Sequence, residues 1–245
     1  MLGAVRERSE CLAILPALNE ERTIGSVIAR ILALDPKVDV AVIDDGSSDR
    51  TPEIARTAGA RVVSHPFNLG YGAALQTGYK LAAAEGYVYV VQVDADGQHD
   101  PADIPRLLDP LRSGMGDVAL GSRFARESDY PMSSVRRVGQ ALMRDLLALL
   151  GGPHIADPTS GFQAFSRPAF AFCCGDAYPS DYPDIDVLLM LHRQGFRIVE
   201  VPVTMAPNPP GRVPMHVGLG AVYYSYKMLL ATLRSATRPR REAGV

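Results

Sequence analysis

The chain has 245 residues, enough for one sizeable α/β domain and too few for two complete domains joined by a linker. Its net charge of -2 argues against nucleic-acid binding, which requires a basic surface that displaces counterions. Its three cysteines fit neither a disulfide framework nor a metal site, and nothing at the N-terminus indicates export. We therefore expect a cytoplasmic protein, and the sequence leaves its oligomeric state open.

Apolar segments typical of strands alternate with segments of helical periodicity in the first half. This alternation predicts an α/β fold with a mostly parallel, Rossmann-like sheet and helices on both faces. The predicted strands here are 11–15, 38–43, 61–64, 88–93 and 117–120. The predicted helices are 24–32, 51–58, a helix that opens at 68–72 and ends at 85, and 101–113.

The alternation changes after Arg123, where a polar loop to Ser133 precedes a helix that runs through Leu150. We expect its leucines to face the core, namely Leu142, Leu146, Leu149 and Leu150. Further along, the sequence predicts a strand after 157–162, a helix from 182–186 to 194 and a last strand at 196–203.

An acidic turn follows the predicted strand 88–93. Asp94 and Asp96 lie two residues apart, so both carboxylates can face one cation, and Gln98 continues the alternation with a neutral oxygen. The spacing does not match a calcium EF-hand loop, so it favours a sparse site in which Mg²⁺ or Mn²⁺ holds a phosphate. The alternative is an ordinary polar surface turn.

Three further polar turns, 16–20, 44–49 and 68–72, also follow predicted parallel strands and should meet Asp94 at one edge of the sheet. None has the GxGxxG or GxxxxGK[ST] pattern of dinucleotide or P-loop sites. Acidic turns suit hydrogen bonds to a base and a ribose diol. In the second turn, Asp49 is expected to cap the helix that begins at Thr51.

Motifs occur in the order PALNEE, DDGSSDRT, NLGYGAALQTGY, DADGQHDP, GSRF and DPTSGF. In this order and at these intervals, residues 11–203 resemble glycosyltransferase family 2, most closely enzymes that transfer mannose or glucose to dolichyl or polyprenyl phosphate. The resemblance implies a single-domain A-type glycosyltransferase fold and a UDP- or GDP-linked sugar donor. It also implies inversion at the anomeric carbon.

The resemblance implies roles for individual residues. Asp94, Ala95 and Asp96 would bind the metal and the diphosphate, with Gln98 as a further metal ligand. Arg123 would contact a phosphate, and Asp157, Gly161 and Phe162 would line the acceptor side. The other turns would bind the rest of the nucleotide sugar through Pro16, Ala17, Asn19, Glu20, Asp44, Asp45, Gly46, Asn68 and Gly70.

The chain departs from the family pattern on the acceptor side. Relatives usually have Arg or Lys where this chain has Gln163, and a basic-Gly-Ser signature where it has residues 209–215. Arg212 is therefore our second candidate, beside Arg123, for binding an acceptor phosphate.

The predicted glycosyltransferase domain comprises residues 11–213, with a nucleotide-sugar-binding half at 11–123 and an acceptor half at 124–213. An N-terminal tail of residues 1–10 precedes it. Residues 214–245 are predicted as an amphipathic helix with a basic tail. Its apolar tract is shorter than the roughly 20 residues that cross a bilayer, so we do not expect it to span a membrane. The helix then either docks on the domain or lies peripherally on the inner face of the plasma membrane.

The acceptor decides whether a base is needed. A phosphate monoester is largely dianionic at neutral pH and needs no base, whereas a hydroxyl acceptor does. The base candidates are Asp157, Asp184 and Asp186, although Asp184 could instead be only a helix N-cap. His99 and His154 are expected at the surface or in caps rather than in a site.

We favour transfer to a polyprenyl or dolichyl phosphate. The alternatives are a glycosyltransferase with a soluble hydroxyl acceptor and an Asp base, and a non-catalytic sugar-nucleotide-binding protein. A nucleotidyltransferase is disfavoured because the chain lacks a glycine-rich basic loop for a triphosphate.

Overall fold

The computed structural model describes residues 9–124, 134–180 and 183–206. Its strands are β1 (Cys11–Ala17), β2 (Asp39–Asp44), β3 (Arg61–Ser64), β4 (Tyr89–Gln92), β5 (Val118–Ser122), β6 (Gln163–Ser166) and β7 (Ile198–Pro202). Its α-helices are α1 (Ile24–Leu32), α2 (Thr51–Thr57), α3 (Tyr71–Glu85), α4 (Ile104–Arg112), α5 (Ser134–Leu149), α6 (Arg167–Cys173) and α7 (Ile185–Arg193). A short 3-10 helix, Pro101–Asp103, leads into α4.

The described strands form one mixed sheet in the order β3-β2-β1-β4-β6-β5-β7. Strand β6 is antiparallel to both of its neighbours, β4 and β5, and the remaining pairs are parallel. The turns that follow β1, β2, β3 and β4 therefore emerge at one edge. The predicted α/β class and mostly parallel sheet are confirmed.

Apolar residues cover both faces of the sheet, as the parallel arrangement requires. One core cluster joins α1 and α4 to one face of the central strands, and a second joins α3, α6 and α7 to the other face. Helix α1 shows how the pattern works: Ile24, Val27, Ile28 and Ile31 recur at helical spacing and are all buried. The helix predicted at 24–32 is confirmed.

Two differences from the expected elements have simple physical causes. The short helix α6 was not predicted, because seven residues with a proline near the start give little periodicity. The predicted burial of Leu149 is wrong, since its side chain is 82% exposed while Leu147 is buried. A helix presents only one face to its neighbours, and packing near α7 selects the face that carries Leu147.

Several predictions fall on residues outside the described ranges. These are the polar loop up to Ser133, Arg212 and the C-terminal segment 214–245. The side chain of Leu142 is also outside them. Within the described residues, no helix is long and apolar enough to cross a membrane.

Candidate active site

The turns after β1 and β2 are joined to each other by hydrogen bonds. The backbone N–H of Asn19 donates to Ser47 Oγ (3.0 Å), and Asn19 Oδ1 accepts from the backbone N–H of Ser48 (2.9 Å). Asn19 adopts a left-handed conformation with φ of 57°, which asparagine tolerates better than most residues. The N–H of Glu20 donates to Thr51 Oγ1 (2.7 Å). These hydrogen bonds hold the two turns together at this edge of the sheet.

Asp49 binds the first residue of helix α2, Thr51, as predicted, from the position before the N-cap residue Arg50. Its carboxylate accepts from the backbone N–H of Thr51 (2.9 Å), from the Thr51 hydroxyl (2.5 Å) and from the N–H of Glu21 (3.2 Å). Burial works toward a higher pKa for Asp49, but these hydrogen bonds to the ionised form outweigh it, so the pKa lies below its usual value. Asp44 is buried and accepts from the N–H of Ser47 (3.1 Å), which closes the turn.

Asp45 holds the third turn in place. Its buried carboxylate accepts from the backbone N–H groups of Leu69 and Gly70, both at 2.9 Å, and lies 2.7 Å from His65 Nδ1. The other ring nitrogen of His65 lies 2.9 Å from Thr77 Oγ1 on helix α3. Asp45 therefore connects the second turn to the third, and its binding of the nucleotide sugar stays a prediction.

Gly46 lets the second and third turns touch. Its φ is 78°, and a Cβ atom at this position would lie 2.8 Å from the carbonyl carbon of Phe67. Any side chain would therefore force the turns apart. Asn68 Oδ1 accepts from the N–H of Gly70 (3.0 Å), which stabilises the third turn beside it.

Asp94 lies beyond the end of β4 and is held from two sides. The Tyr71 hydroxyl donates to Asp94 Oδ1 (2.8 Å), and His99 Nε2 lies 3.5 Å from Asp94 Oδ2. The N–H of Asp94 donates to His99 Nδ1 (3.1 Å), and the His99 ring stacks on Phe162 with centroids 4.7 Å apart. The expectation that His99 is a surface residue is wrong, because it is buried between the acidic turn and the 157–162 turn.

The rest of the acidic turn is fixed by its own backbone and by a later segment. Asp96 Oδ1 accepts from the N–H of Gln98 (2.9 Å), and the Gln98 carbonyl accepts from the N–H of Ala206 (2.8 Å). His99 and Met205 form an antiparallel bridge. The segment after β7 thus borders the turn on which the candidate metal ligands lie.

Within the described residues, no group of three or more His, Cys, Asp and Glu side chains converges to hold a metal ion. The donors of the acidic turn, Asp94, Asp96 and Gln98, are instead two carboxylates and an amide oxygen. Oxygen donors in small number fit Mg²⁺ or Mn²⁺, which keep water and phosphate oxygens as further ligands. Gly161 leaves the space above Asp94 open, since a Cβ there would lie 3.0 Å from Oδ2. These residues therefore fit a sparse site completed by a substrate.

Tyr71 is a permanent donor to this carboxylate. Burial raises its pKa most, and the negative charge of Asp94 and the hydrogen bond to it raise the pKa further above its ordinary value. The negative charge of Asp184 also raises the pKa of Tyr71. Sequence reasoning missed Tyr71, although its position at the start of a helix that follows a polar turn was a signal.

Arg123 and Asp157 form a bidentate ion pair. Arg123 Nε and Nη2 each lie 2.7 Å from one oxygen of Asp157, and the N–H of Arg123 adds a third bond at 3.1 Å. Asp157 is fully buried, and the Arg123 side chain is 22% exposed. The structure therefore brings the two predicted residues together. Because the guanidinium binds both oxygens, this geometry disfavours Asp157 as a base.

Glu200 supports this pair from strand β7. Its carboxylate accepts from the backbone N–H groups of Ala156 (2.9 Å) and Asp157 (3.0 Å). Sequence reasoning missed Glu200. The signal was a charged residue in the middle of the apolar strand Ile198–Pro202, where such a residue needs a partner.

The two candidate aspartates near α7 have different surroundings. Asp184 precedes the helix, but its side chain makes no capping bond, so the expectation that it is only an N-cap is not supported. Asp186 is buried, and its Oδ1 accepts from the N–H of Asp184 (3.1 Å). Of the two, Asp184 is the one whose negative charge raises the pKa of Tyr71.

Gln163 has a structural partner at the start of β6. Its side chain is buried, and its amide nitrogen donates to the carbonyl of Ser160 (2.7 Å). The strand register places it opposite Gln92 of β4. The residue at this position therefore stabilises the 157–162 turn.

Comparison with known proteins is consistent with this architecture. Glucosyl-3-phosphoglycerate synthase from Mycobacterium tuberculosis, in complex with Mn²⁺, UDP and phosphoglyceric acid, superposes with a TM-score of 0.71 at 28% identity, over 96% of this chain and 81% of that chain. The strand order and this superposition show that the chain has an A-type glycosyltransferase fold.

Sequence comparison then gives the family. The family model described as glycosyl transferase family 2 matches residues 12–172. An uncharacterized protein of Methanocaldococcus jannaschii is 33% identical over 198 residues, 80% of this chain and 81% of that protein. Polyprenol monophosphomannose synthase of Mycolicibacterium smegmatis is 30% identical over 222 residues, 85% of this chain and 82% of that protein. The chain belongs to glycosyltransferase family 2.

Proposed function

We propose that this protein is an inverting, metal-dependent glycosyltransferase that moves a sugar from a UDP- or GDP-sugar to a polyprenyl or dolichyl phosphate. The observation that carries the proposal is that the structure contains both the Arg123–Asp157 ion pair and the acidic turn with Asp94. It combines a fixed cation with a cluster of oxygen donors. The similarity to a polyprenol monophosphomannose synthase supports the same acceptor class.

On the donor side, Asp94, Asp96 and Gln98 would hold Mg²⁺ or Mn²⁺. A bound divalent cation neutralises the diphosphate and stabilises the charge that develops on the leaving nucleotide. The walls formed by the first three turns would bind the nucleoside, and their mutual hydrogen bonds fix these walls before the substrate arrives. The Mn²⁺ and UDP bound to the structural neighbour support this assignment.

On the acceptor side, a phosphate monoester has a second pKa of about 6 and is already largely dianionic at neutral pH. Such a nucleophile needs a cation to hold it rather than a base. A guanidinium carries five N–H donors in a planar fork, so Arg123 can bind Asp157 along one edge and a phosphate along another. Arg212 is the second cation in this proposal.

A second acceptor class has a specific observation in its favour. The structural neighbour holds phosphoglyceric acid, a small soluble acceptor. A hydroxyl acceptor needs a base, and Asp184 is then the better candidate than Asp157, because Asp157 is bound to Arg123. Both carboxylates of the acidic turn are present, which argues against a non-catalytic sugar-nucleotide-binding protein.

The location of the protein follows from the same proposal. A lipid phosphate lies at a membrane surface, so we propose a cytoplasmic protein that binds peripherally to the inner face of the plasma membrane through residues 214–245. The basic tail of that segment suits an anionic surface.

The decisive experiment pairs each donor with each acceptor. Purified protein is incubated with UDP-glucose, UDP-N-acetylglucosamine or GDP-mannose, with Mg²⁺ or Mn²⁺, and with polyprenyl phosphate or 3-phosphoglycerate. We expect release of nucleoside diphosphate and a labelled lipid product with one donor, no product in excess chelator, and inverted anomeric configuration by NMR. Transfer to 3-phosphoglycerate alone would select the second acceptor class, and pyrophosphate release would indicate a nucleotidyltransferase.

A further inference from the structure

We infer that Tyr71 is a positioning residue that holds one oxygen of Asp94 and thereby makes the acidic turn selective for small divalent cations. The inference rests on the proposed metal site. It goes beyond that proposal because it assigns the task of orienting the ligand, and of choosing the cation, to a residue outside the acidic turn.

A chain of hydrogen bonds leads from the core to Asp94. The Tyr79 hydroxyl donates to Gln92 Oε1 (2.9 Å), Gln92 Nε2 donates to the Tyr71 oxygen (3.2 Å), and the Tyr71 hydroxyl donates to Asp94 Oδ1 (2.8 Å). Tyr79 and Gln92 are buried. The chain therefore starts from side chains that packing holds in place.

The bonds of this chain all point the same way. Because the oxygen of Gln92 is used by Tyr79, its amide nitrogen faces Tyr71, and the Tyr71 hydrogen is left to point at the carboxylate. Hydrogen bonds that run in one direction polarise and strengthen one another in a buried environment. The arrangement fixes the rotamer of Asp94 and keeps its Oδ1 occupied.

The two oxygens of Asp94 consequently differ. Oδ1 accepts the hydrogen bond from Tyr71, whereas Oδ2 lies 3.5 Å from His99 Nε2 and is the nearer of the two to a Cβ at Gly161, at 3.0 Å against 3.4 Å. A carboxylate with one oxygen engaged by the protein offers the other as a single ligand. Mg²⁺ and Mn²⁺ accept single carboxylate oxygens in octahedral sites, while Ca²⁺ gains from bidentate carboxylates and more ligands.

The test is Tyr71→Phe, which removes one oxygen and keeps the ring. Tyr79→Phe is the matched control, because it removes a hydroxyl from the same series of hydrogen bonds without touching Asp94.

Free Mn²⁺ is measured by electron paramagnetic resonance in the presence of UDP, and Ca²⁺ is then added as a competitor. We expect Mn²⁺ affinity to fall about 10- to 100-fold in Tyr71→Phe, as is typical when a partner of a metal ligand is lost, and Ca²⁺ to compete better than in wild type. Tyr79→Phe should change the affinity less than about threefold, since it is two hydrogen bonds away.

The outcomes separate this inference from the proposed function. If wild type binds Mn²⁺ and Tyr71→Phe binds it equally well with unchanged Ca²⁺ competition, the inference is wrong while the metal site stands. If wild type binds no Mn²⁺, the metal site and the inference both fail. An equal loss in Tyr79→Phe would also overturn the inference, because that variant keeps the hydroxyl of Tyr71 that donates to Asp94.

A second variant covers the case in which Tyr71→Phe does not fold. Gly161→Ala places a methyl group 3.0 Å from Asp94 Oδ2 and 3.4 Å from both Oδ1 and the Tyr71 oxygen. We expect weaker Mn²⁺ binding at an unchanged melting temperature. Full Mn²⁺ affinity in this variant would contradict the role given to Oδ2.

Discussion

Asp157→Asn tests whether this residue holds Arg123 or acts as a base. The substitution keeps the shape of the side chain but removes its charge and one of the two acceptors that face the guanidinium. Breaking a buried ion pair by removing one partner costs about 3–5 kcal/mol. Because Arg123 retains 22% exposure and asparagine keeps one acceptor oxygen, we expect a smaller loss of about 2–3 kcal/mol in the free energy of unfolding.

For a chain of this size, such a loss lowers the melting temperature by roughly 4 to 12 °C. The assay is thermal denaturation, followed by steady-state kinetics at a temperature where the variant is folded. The acceptor KM should rise because Arg123 is no longer held in place, while the donor dissociation constant stays unchanged. Asp145→Asn is the control: its side chain is 67% exposed and pairs only with Arg144 among the ion pairs of the described residues, so we expect a loss below about 1 kcal/mol.

A base would give a different signature. General-base catalysis contributes about 10²–10⁴-fold to the rate, so loss of the base should lower kcat by that factor with little change in stability. An Asp157→Asn variant with the wild-type melting temperature, an unchanged acceptor KM and a kcat reduced to this extent would refute our account of the pair.

Three further predictions use different parts of the chain. Asp96→Asn should abolish turnover and metal-dependent UDP binding while leaving the melting temperature unchanged, since a half-buried carboxylate at the edge of the sheet packs little; normal activity would remove the metal from the mechanism. The pKa of Asp49 is lower in the folded state, so this residue stabilises the fold above its unfolded pKa and stops doing so as the pH falls through its folded pKa. In Asp49→Asn, the free energy of unfolding should therefore decrease less steeply as the pH falls into the acid range. Denaturant unfolding at several pH values measures this decrease, and the same pH dependence as in wild type would contradict the prediction. Vesicle flotation of the full chain should depend on anionic lipid and weaken in high salt, because arginines near a charged surface contribute roughly 1 kcal/mol each; equal recovery on neutral vesicles would count against the membrane-bound tail.

Local patterns in the sequence determined the fold class and the edge of the sheet at which the candidate site residues lie. The burial of the apolar face of α1, and the strand Arg61–Ser64, follow from periodicity and strand propensity within one segment. Asp94 and Asp96 were found for a similar reason. A run of polar residues directly after an apolar strand marks the end of that strand, and parallel strands place such ends together.

Only the tertiary structure decided how these residues are held. Strand β6 has four residues and no periodicity that reveals an antiparallel partner, yet its register places Gln163 opposite Gln92. The partners that define the site are distant in sequence: Tyr71 binds Asp94 across 23 positions, and Glu200 binds the Asp157 backbone across 43. Such contacts depend on strand order and helix packing, which juxtapose segments whose separate patterns carry no information about each other. The sequence therefore predicted Asp94 and Asp157 as candidate site residues, whereas only the folded structure shows that Tyr71 and Glu200 hold them in place.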